Sequence, residues 1–195
     1  MRRFHLAIVM LAVGATLSAC ASDPGPATPS KPTFHYSPMA PYVISATALQ
    51  IEPVYFGGGG GQHVEQNYDY TPTDLAAAWA RDRLSLAGAS GKLTMRILEA
   101  SVIETPLDVK QGLRGRFTND QNRQLTARLS VELLLQEVPG GAPARASATA
   151  SASRTFSEKE IGSAARPGYM LLLEELARNF DAALSPQVKA YLAVR

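Results

Sequence analysis

The pattern that most constrains the fold is a strict alternation of side chains between Leu125 and Gln136. Successive side chains of a β-strand point to opposite faces, so this alternation predicts a long strand with one buried and one mainly hydrated face. The even positions are polar except for Leu134. The odd positions are all apolar: Leu125, Ala127, Leu129, Val131, Leu133 and Leu135. A strand of this kind needs a second layer to cover its apolar face.

Three further segments are expected to be strands. Residues 42–51 are rich in β-branched and apolar side chains, which is typical of a first strand. In residues 92–104 the apolar positions change from odd to even, which predicts a bulge near Leu98 and Glu99. Residues 146–153 alternate alanine with serine or threonine after a Pro-Gly-Gly turn. We interpret them as a strand whose small side chains let a helix approach closely, the alternative being a low-complexity linker.

Two helices complete the pattern. Thr73 and Asp74 can cap a helix that runs to about Ala87, with Trp79 as its core anchor. Pro167 begins a second helix, which Pro186 is expected to interrupt. On this helix Glu174, Glu175, Arg178 and Asp181 are assigned to the solvent side. The resulting order, β-α-β-β-β-α, predicts an α+β two-layer sandwich: a mainly antiparallel four-stranded sheet with two helices on one face.

The N-terminus has the features of an export signal. Arg2 and Arg3 precede a short apolar run, and small residues follow up to Ala19. The run is too short to span a bilayer, which needs roughly 20 residues. The sequence Leu17-Ser18-Ala19-Cys20 resembles the lipobox of bacterial lipoproteins, which implies lipid attachment at Cys20. An ordinary secretory signal followed by a chance cysteine is the alternative. Because Cys20 is the single cysteine of the chain, an internal disulfide is excluded.

These features predict three parts: a signal peptide (1–19), a lipidated cysteine with a proline-rich tether (20–41), and one α+β domain (42–195). Residues 34–41 are expected to be a partly packed lead-in, in which His35, Tyr36 and Met39 could instead bind a ligand.

Several acyl chains together would hold the protein firmly on a membrane. An aspartate just after the lipidated cysteine resembles an inner-membrane retention signal, but Ala21 and Ser22 stand there instead. We therefore expect attachment to the periplasmic face of the outer membrane.

Composition and motifs argue against several functions. Without residues 1–19 the chain has 17 basic and 17 acidic residues, so no basic bias favours nucleic acid. His35 and His63 lack metal-site spacing, and the five glycines from Gly57 lack the Gly-Lys-Ser/Thr of a phosphate loop. Glu99 and Glu104 flank a strand, where a solvated pair is expected. We expect no enzyme activity, cofactor or metal.

One segment between the second and third long strands could bind a ligand. It interleaves cations with apolar side chains, a mixture suited to anionic amphiphiles because guanidinium groups fit phosphate. The candidate residues are Lys110, Leu113, Arg114, Arg116 and Phe117. The alternative is a long hairpin whose outward charges keep it soluble.

In arrangement, the chain resembles small periplasmic lipoproteins of envelope transport: the lipopolysaccharide-assembly lipoproteins and the auxiliary lipoproteins of lipid-transporting ABC systems. This resemblance rests on the lipobox, the length of the chain and a sheet covered by two helices across residues 42–192. The segment Ala21-Ser22-Asp23-Pro24-Gly25 departs from the Gly-Phe-x-Pro-Leu opening of the assembly family. The resemblance implies a non-catalytic binding or assembly module that contacts an envelope protein. A direct carrier of lipid or glycolipid is the second hypothesis. A carrier needs an apolar groove for acyl chains, whereas a module needs a filled core and an exposed patch or strand edge.

Overall fold

The computed structural model describes residues 34–36, 39–57, 62–107, 121–137, 140–160 and 162–194. The expected signal peptide, Cys20, and the Lys110–Phe117 segment lie outside these residues. The described residues form six strands: β1 (Tyr42–Ile44), β2 (Ala48–Pro53), β3 (Leu84–Leu86), β4 (Lys92–Pro106), β5 (Gln121–Gln136) and β6 (Ala144–Ser157). The helices are α1 (Pro72–Arg83) and α2 (Arg166–Tyr191), and short 3-10 turns occupy Glu65–Asn67 and Gly162–Ala165.

The main sheet has the strand order β2-β4-β5-β6, and its two long pairs, β4–β5 and β5–β6, are antiparallel. The odd residues from Leu125 to Leu135 point inward and are buried, as the alternation predicted. The expected bulge is confirmed, because the β4–β5 register shifts between Ile97 and Glu99. Residues 146–153 form part of β6, so the strand interpretation of this Ala/Ser segment is also confirmed. The predicted α+β sandwich is therefore present.

The prediction of one continuous first strand is wrong. It is divided into β1, which pairs in parallel with β3, and β2, which pairs in parallel with β4. The bend between them packs against Gly88, where an added Cβ would lie 2.4 Å from the backbone nitrogen of Ala46. Pairing with β1 also explains why α1 ends at Arg83 instead of near Ala87. Residues 84–86 form β3 because strand pairing replaces the last helical turn.

The start of α1 differs from the expected cap by two residues. Thr71 is the N-cap, and its side chain accepts a hydrogen bond from the backbone N–H of Asp74 at 3.3 Å. The Asp74 carboxylate in turn accepts the backbone N–H of Thr71 at 2.8 Å. This reciprocal capping box satisfies two donors at the helix start.

The expected interruption of α2 at Pro186 is also wrong, because the helix continues through this residue to Tyr191. A proline inside a helix leaves the carbonyl four residues earlier without its donor, here that of Ala182. Both residues are exposed, so water can reach that carbonyl. Leu184 and Val188, on either side of the proline, are fully buried and keep the last turns packed on the domain.

Both helices cover the same face of the sheet. Helix α1 contacts β4 and β5, whereas α2 lies mainly over β6. The approach of α2 to β6 is close at Gly168, where an added Cβ would lie 2.6 Å from the ring of Phe156. Trp79 and Phe180 meet edge to face between the helices, with ring centroids 5.7 Å apart. Within the described ranges, no helix is both long and apolar enough to cross a membrane.

Candidate functional site

A polar cluster lies between the two helices, where the sequence predicted a solvated helix surface. The Asp181 side chain is only 14% exposed, so its assignment to the solvent side was wrong. Its Oδ1 atom accepts hydrogen bonds from Trp79 Nε1 at 2.8 Å, Arg83 Nε at 3.1 Å and Ser185 Oγ at 2.8 Å. The Arg83 side chain is 6% exposed, so this is a nearly buried ion pair. We call these four residues the Asp181 cluster.

The residues before β1 cross the helices as a segment that we call the N-terminal strap, Phe34–Tyr36 and Met39–Pro41. Consecutive residues at the end of α1 hold it. Arg81 Nη2 donates to the carbonyl of Phe34 at 3.1 Å, and Asp82 Oδ2 accepts the backbone N–H of Tyr36 at 3.0 Å. Arg83 Nη1 donates to the carbonyl of Ala40, which joins the strap to the Asp181 cluster.

Electrostatics support this attachment. Burial works to raise the pKa of Asp82, but hydrogen bonds from Arg81 and Tyr36 outweigh it and hold that pKa below its ordinary value. Asp82 therefore stays charged as an acceptor for the strap. Tyr36 is buried, which raises the pKa of its hydroxyl far above the ordinary value, with further contributions from Tyr70, Asp181 and Asp82. Its ring acts as an apolar anchor of the strap.

An open, mainly apolar groove of about 520 Å³ lies between the strap and α2. Strap residues form one wall and residues of α2 form the other. The lining residues are Phe34, His35, Tyr36, Met39, Glu174, Ala177, Arg178, Asp181 and Ala182. His35 and Met39, which the sequence left open as ligand contacts, thus meet at one groove.

One edge of the main sheet is formed by a short strand. Strand β2 is short, ends at Pro53 and pairs with β4 as far as Ile97. Beyond it, Val64 N donates to the carbonyl of Val102, and Glu104 N donates to that of Gln62. The buried Glu65 carboxylate accepts Val102 N at 3.0 Å, in the place of a neighbouring strand's carbonyl. These contacts satisfy backbone groups of β4 at Val102 and Glu104, beyond the end of β2.

The opposite edge is formed by β6, which is 14 residues long. Among the described residues, no strand pairs with its second side. One carbonyl, that of Ser151, accepts Asn179 Nδ2 of α2 at 2.8 Å. Natural edge strands are commonly blunted by proline, inward charges or bulges. From Ala146 to Ser153 this strand contains only alanine, serine and threonine and has a regular register with β5.

The face of the sheet away from the helices is polar. Hydroxyl groups pair across strands, with Thr126 Oγ1 and Ser153 Oγ 3.0 Å apart and Ser130 Oγ and Thr149 Oγ1 2.9 Å apart. Glu132 is held by Arg96 at 2.9 Å and Arg145 at 3.1 Å. Among the described residues, this face therefore offers mainly hydrogen bonds and charge.

The remaining candidate catalytic or metal-binding side chains do not meet at one site. His63 Nδ1 lies 3.2 Å from the Tyr55 hydroxyl and 3.5 Å from Glu65 Oε1. Glu99 accepts Ser101 Oγ at 3.1 Å, whereas Glu104 pairs with Arg123 at 3.0 Å. Across the described ranges, no group of three or more His, Cys, Asp or Glu side chains could hold a metal ion.

The sequence missed the Asp181 cluster and the strap contacts. The spacing of Asp181 and Ser185 is a weak local signal, since side chains four residues apart meet on a helix. Trp79 and Arg83, however, lie 102 and 98 residues away from Asp181 along the chain.

No protein-family model and no curated protein matches the chain. Among solved structures, a minor lipoprotein from Acinetobacter baumannii is similar, with a TM-score of 0.36 and 14% sequence identity. The superposition covers 80% of this chain and 99% of that one.

Proposed function

We propose that this protein is a lipid-anchored, non-catalytic binding module of the bacterial envelope, which docks an envelope protein along the β6 edge. The contrast between the two sheet edges carries the proposal. At the other edge β2 offers only six residues and ends at Pro53, and the Gln62–Glu65 segment pairs with β4 beyond it, whereas β6 offers 14 residues with no equivalent cover among the described residues. An extended segment of a partner can add to such an edge through main-chain hydrogen bonds.

The packing of the domain favours a module over a lipid carrier. The space between sheet and helices is filled by side chains such as Trp79, Leu129 and Phe180, none of which has exposed surface. An acyl chain would have to displace this core, in which even one missing methylene is costly. The apolar groove beside the strap lies outside the core.

The anchoring part of the proposal rests on the N-terminal sequence. Cys20, once acylated, would fix the module to the outer membrane on its periplasmic face. The domain then needs no membrane-spanning element, because several acyl chains together give stable attachment. Envelope assembly or transport is the role that fits a tethered module with an open strand edge.

Site-specific photo-crosslinking in cells tests the docking edge. A photoreactive amino acid placed at Ser147 or Ser151 of β6 should give one discrete adduct with an envelope protein. The same amino acid at Gln50, which is exposed on β2, is the control and should give no such adduct. Adducts of equal yield from both edges, or none from β6, would contradict the proposal. A lipid adduct from Met39 in the groove would instead favour the carrier.

A matched pair of lysine substitutions separates the edge from the adjoining sheet face. Thr149 and Ser130 hydrogen-bond to each other, so changing either residue to lysine removes the same contact. Lysine at an edge strand opposes strand addition. Thr149→Lys should therefore abolish the adduct from Ser151, and Ser130→Lys on the central strand should retain it. Loss in both variants would place the partner on the sheet face.

A further inference from the structure

The backbone groups that β6 offers at its open edge belong to its odd-numbered residues. The hydroxyl of Thr149 lies 2.9 Å from that of Ser130, and the hydroxyl of Ser153 lies 3.0 Å from that of Thr126. Such close side chains are typical of the narrow, non-hydrogen-bonded pairs of an antiparallel ladder. The residues of these pairs direct their N–H and carbonyl groups away from each other, so on β6 they point away from β5.

Two of these odd-numbered residues already have partners within the chain. The Ser151 carbonyl accepts Asn179 Nδ2 of α2 at 2.8 Å. Ser157 is closed on both groups, because its N–H donates to Glu160 Oε2 at 2.9 Å and its carbonyl accepts Glu160 N at 3.1 Å. The hydrogen bond from Ser157 N–H holds the pKa of the Glu160 carboxyl below its ordinary value, so this cap is charged at neutral pH. We call Ser151–Ser157, which is capped at both ends, the capped half of β6.

The cap at Ser151 is fixed by the packing of α2. The helix runs in the opposite direction to β6, from Gly168 beside Phe156 to Asn179 beside Ser151. Eleven helical residues and five strand residues both cover about 16 Å, so the two elements stay aligned over this length. Beyond Asn179 lies the open half of β6, Arg145–Thr149, whose outward backbone groups have no hydrogen bond to the other described residues.

We propose that Asn179 limits strand addition on β6, so that a partner segment pairs with the open half and stops at Ser151. This inference takes the docking edge of the proposed function as its premise. A longer strand would have to displace Asn179 from the Ser151 carbonyl and would then meet the charged Glu160 cap. Charges at an edge oppose strand addition, so both caps direct a partner to the open half.

The open half also defines the chemistry of the segment that fits it. A strand facing residues 145–151 has about seven residues and a length of about 20 Å. Side chains directly opposite Ser147 and Thr149 would lie on the polar sheet face, because paired residues point to the same side. Hydroxyl or amide side chains at alternate positions of the partner would continue the hydroxyl pairs that already cross this face.

Hydrogen exchange tests the assignment of the open edge without a partner. In the chain from residue 20 with Cys20→Ser, the amides of Ser147 and Thr149 should exchange fast because they face solvent. The amides of Ala148 and Ala150 should exchange slowly because they donate to β5. Slow exchange at the odd-numbered residues and fast exchange at the even-numbered ones would overturn the proposal.

Photo-crosslinking of the full chain in cells tests the limit itself. A photoreactive amino acid at Ser147 should give the envelope-protein adduct, and the same amino acid at Ser153 should give none. Asn179→Leu keeps the branching of the side chain but removes the donor, and it should yield an adduct from Ser153 as well. Glu175→Leu, exposed one turn earlier on α2, is the matched control and should leave Ser153 without an adduct. The adduct from Ser147 should persist in both variants, which checks that they fold.

The failure of this inference and the failure of the docking edge give different patterns. Adducts of equal yield from Ser147 and Ser153 in the unchanged protein would overturn the limit and leave the docking edge standing. The absence of a Ser153 adduct in Asn179→Leu would do the same. No adduct from any position of β6 would refute the docking edge, and this inference with it.

Discussion

Removing the Asp181 carboxylate is the most informative perturbation of this domain. In Asp181→Ala, Arg83 keeps the carbonyl of Ala40, the Tyr42 hydroxyl and Ser185 Oγ as partners but loses its counter-charge in a nearly buried site. Trp79 Nε1 loses its acceptor as well. Breaking a buried ion pair on one side costs about 3–5 kcal/mol, against a total stability of about 5–15 kcal/mol.

Urea unfolding of the chain from residue 20 with Cys20→Ser measures this loss. With a slope of about 2 kcal/mol per molar urea, a loss of about 4 kcal/mol lowers the midpoint by about 2 M. The matched control is Asp69→Ala, which removes an exposed partner of Arg166, 3.4 Å away, and should cost less than about 1 kcal/mol. Equal midpoints for the two variants would refute the assignment of Asp181 as a buried, structural acceptor.

Three further predictions address the sheet, the anchor and the candidate binding segment. Leu129→Asp should unfold the domain because the Leu129 side chain has no exposed surface, so the new carboxylate would be buried. Arg128→Asp, at an exposed position, should leave the melting temperature nearly unchanged. Comparable melting temperatures for the two variants would contradict the assigned face of the strand. Cys20→Ser should abolish incorporation of a palmitate analogue in cells, and persistent labelling would disprove lipidation at this residue. Changing three cationic residues between β4 and β5 to glutamine should weaken co-sedimentation with anionic liposomes. Binding of the unchanged protein should fall with added salt. Equal binding to neutral vesicles would argue for a solvated hairpin. These cations are Lys110, Arg114 and Arg116.

Local patterns determined the architecture of the sheet. The alternation in β5 predicted its buried face, and the change of phase in β4 predicted the bulge that the register shows between Ile97 and Glu99. The small side chains of β6 predicted the close approach of a helix, and α2 lies mainly over that strand. These predictions succeed because burial of one face imposes a period on neighbouring residues, and that period is visible in the sequence.

The tertiary structure decided the features that depend on distant partners. The division of the first strand and the early end of α1 follow from the pairing of β1 with β3. The continuation of α2 through Pro186 depends on Leu184 and Val188 being buried on either side of it. Asp181 is a charged residue that the helical spacing assigned to the solvent side, yet its partners Trp79 and Arg83 lie on the other helix. A hydrogen bond between residues about a hundred positions apart leaves no period in the sequence, so only the packed helices define the polar cluster and the groove beside it.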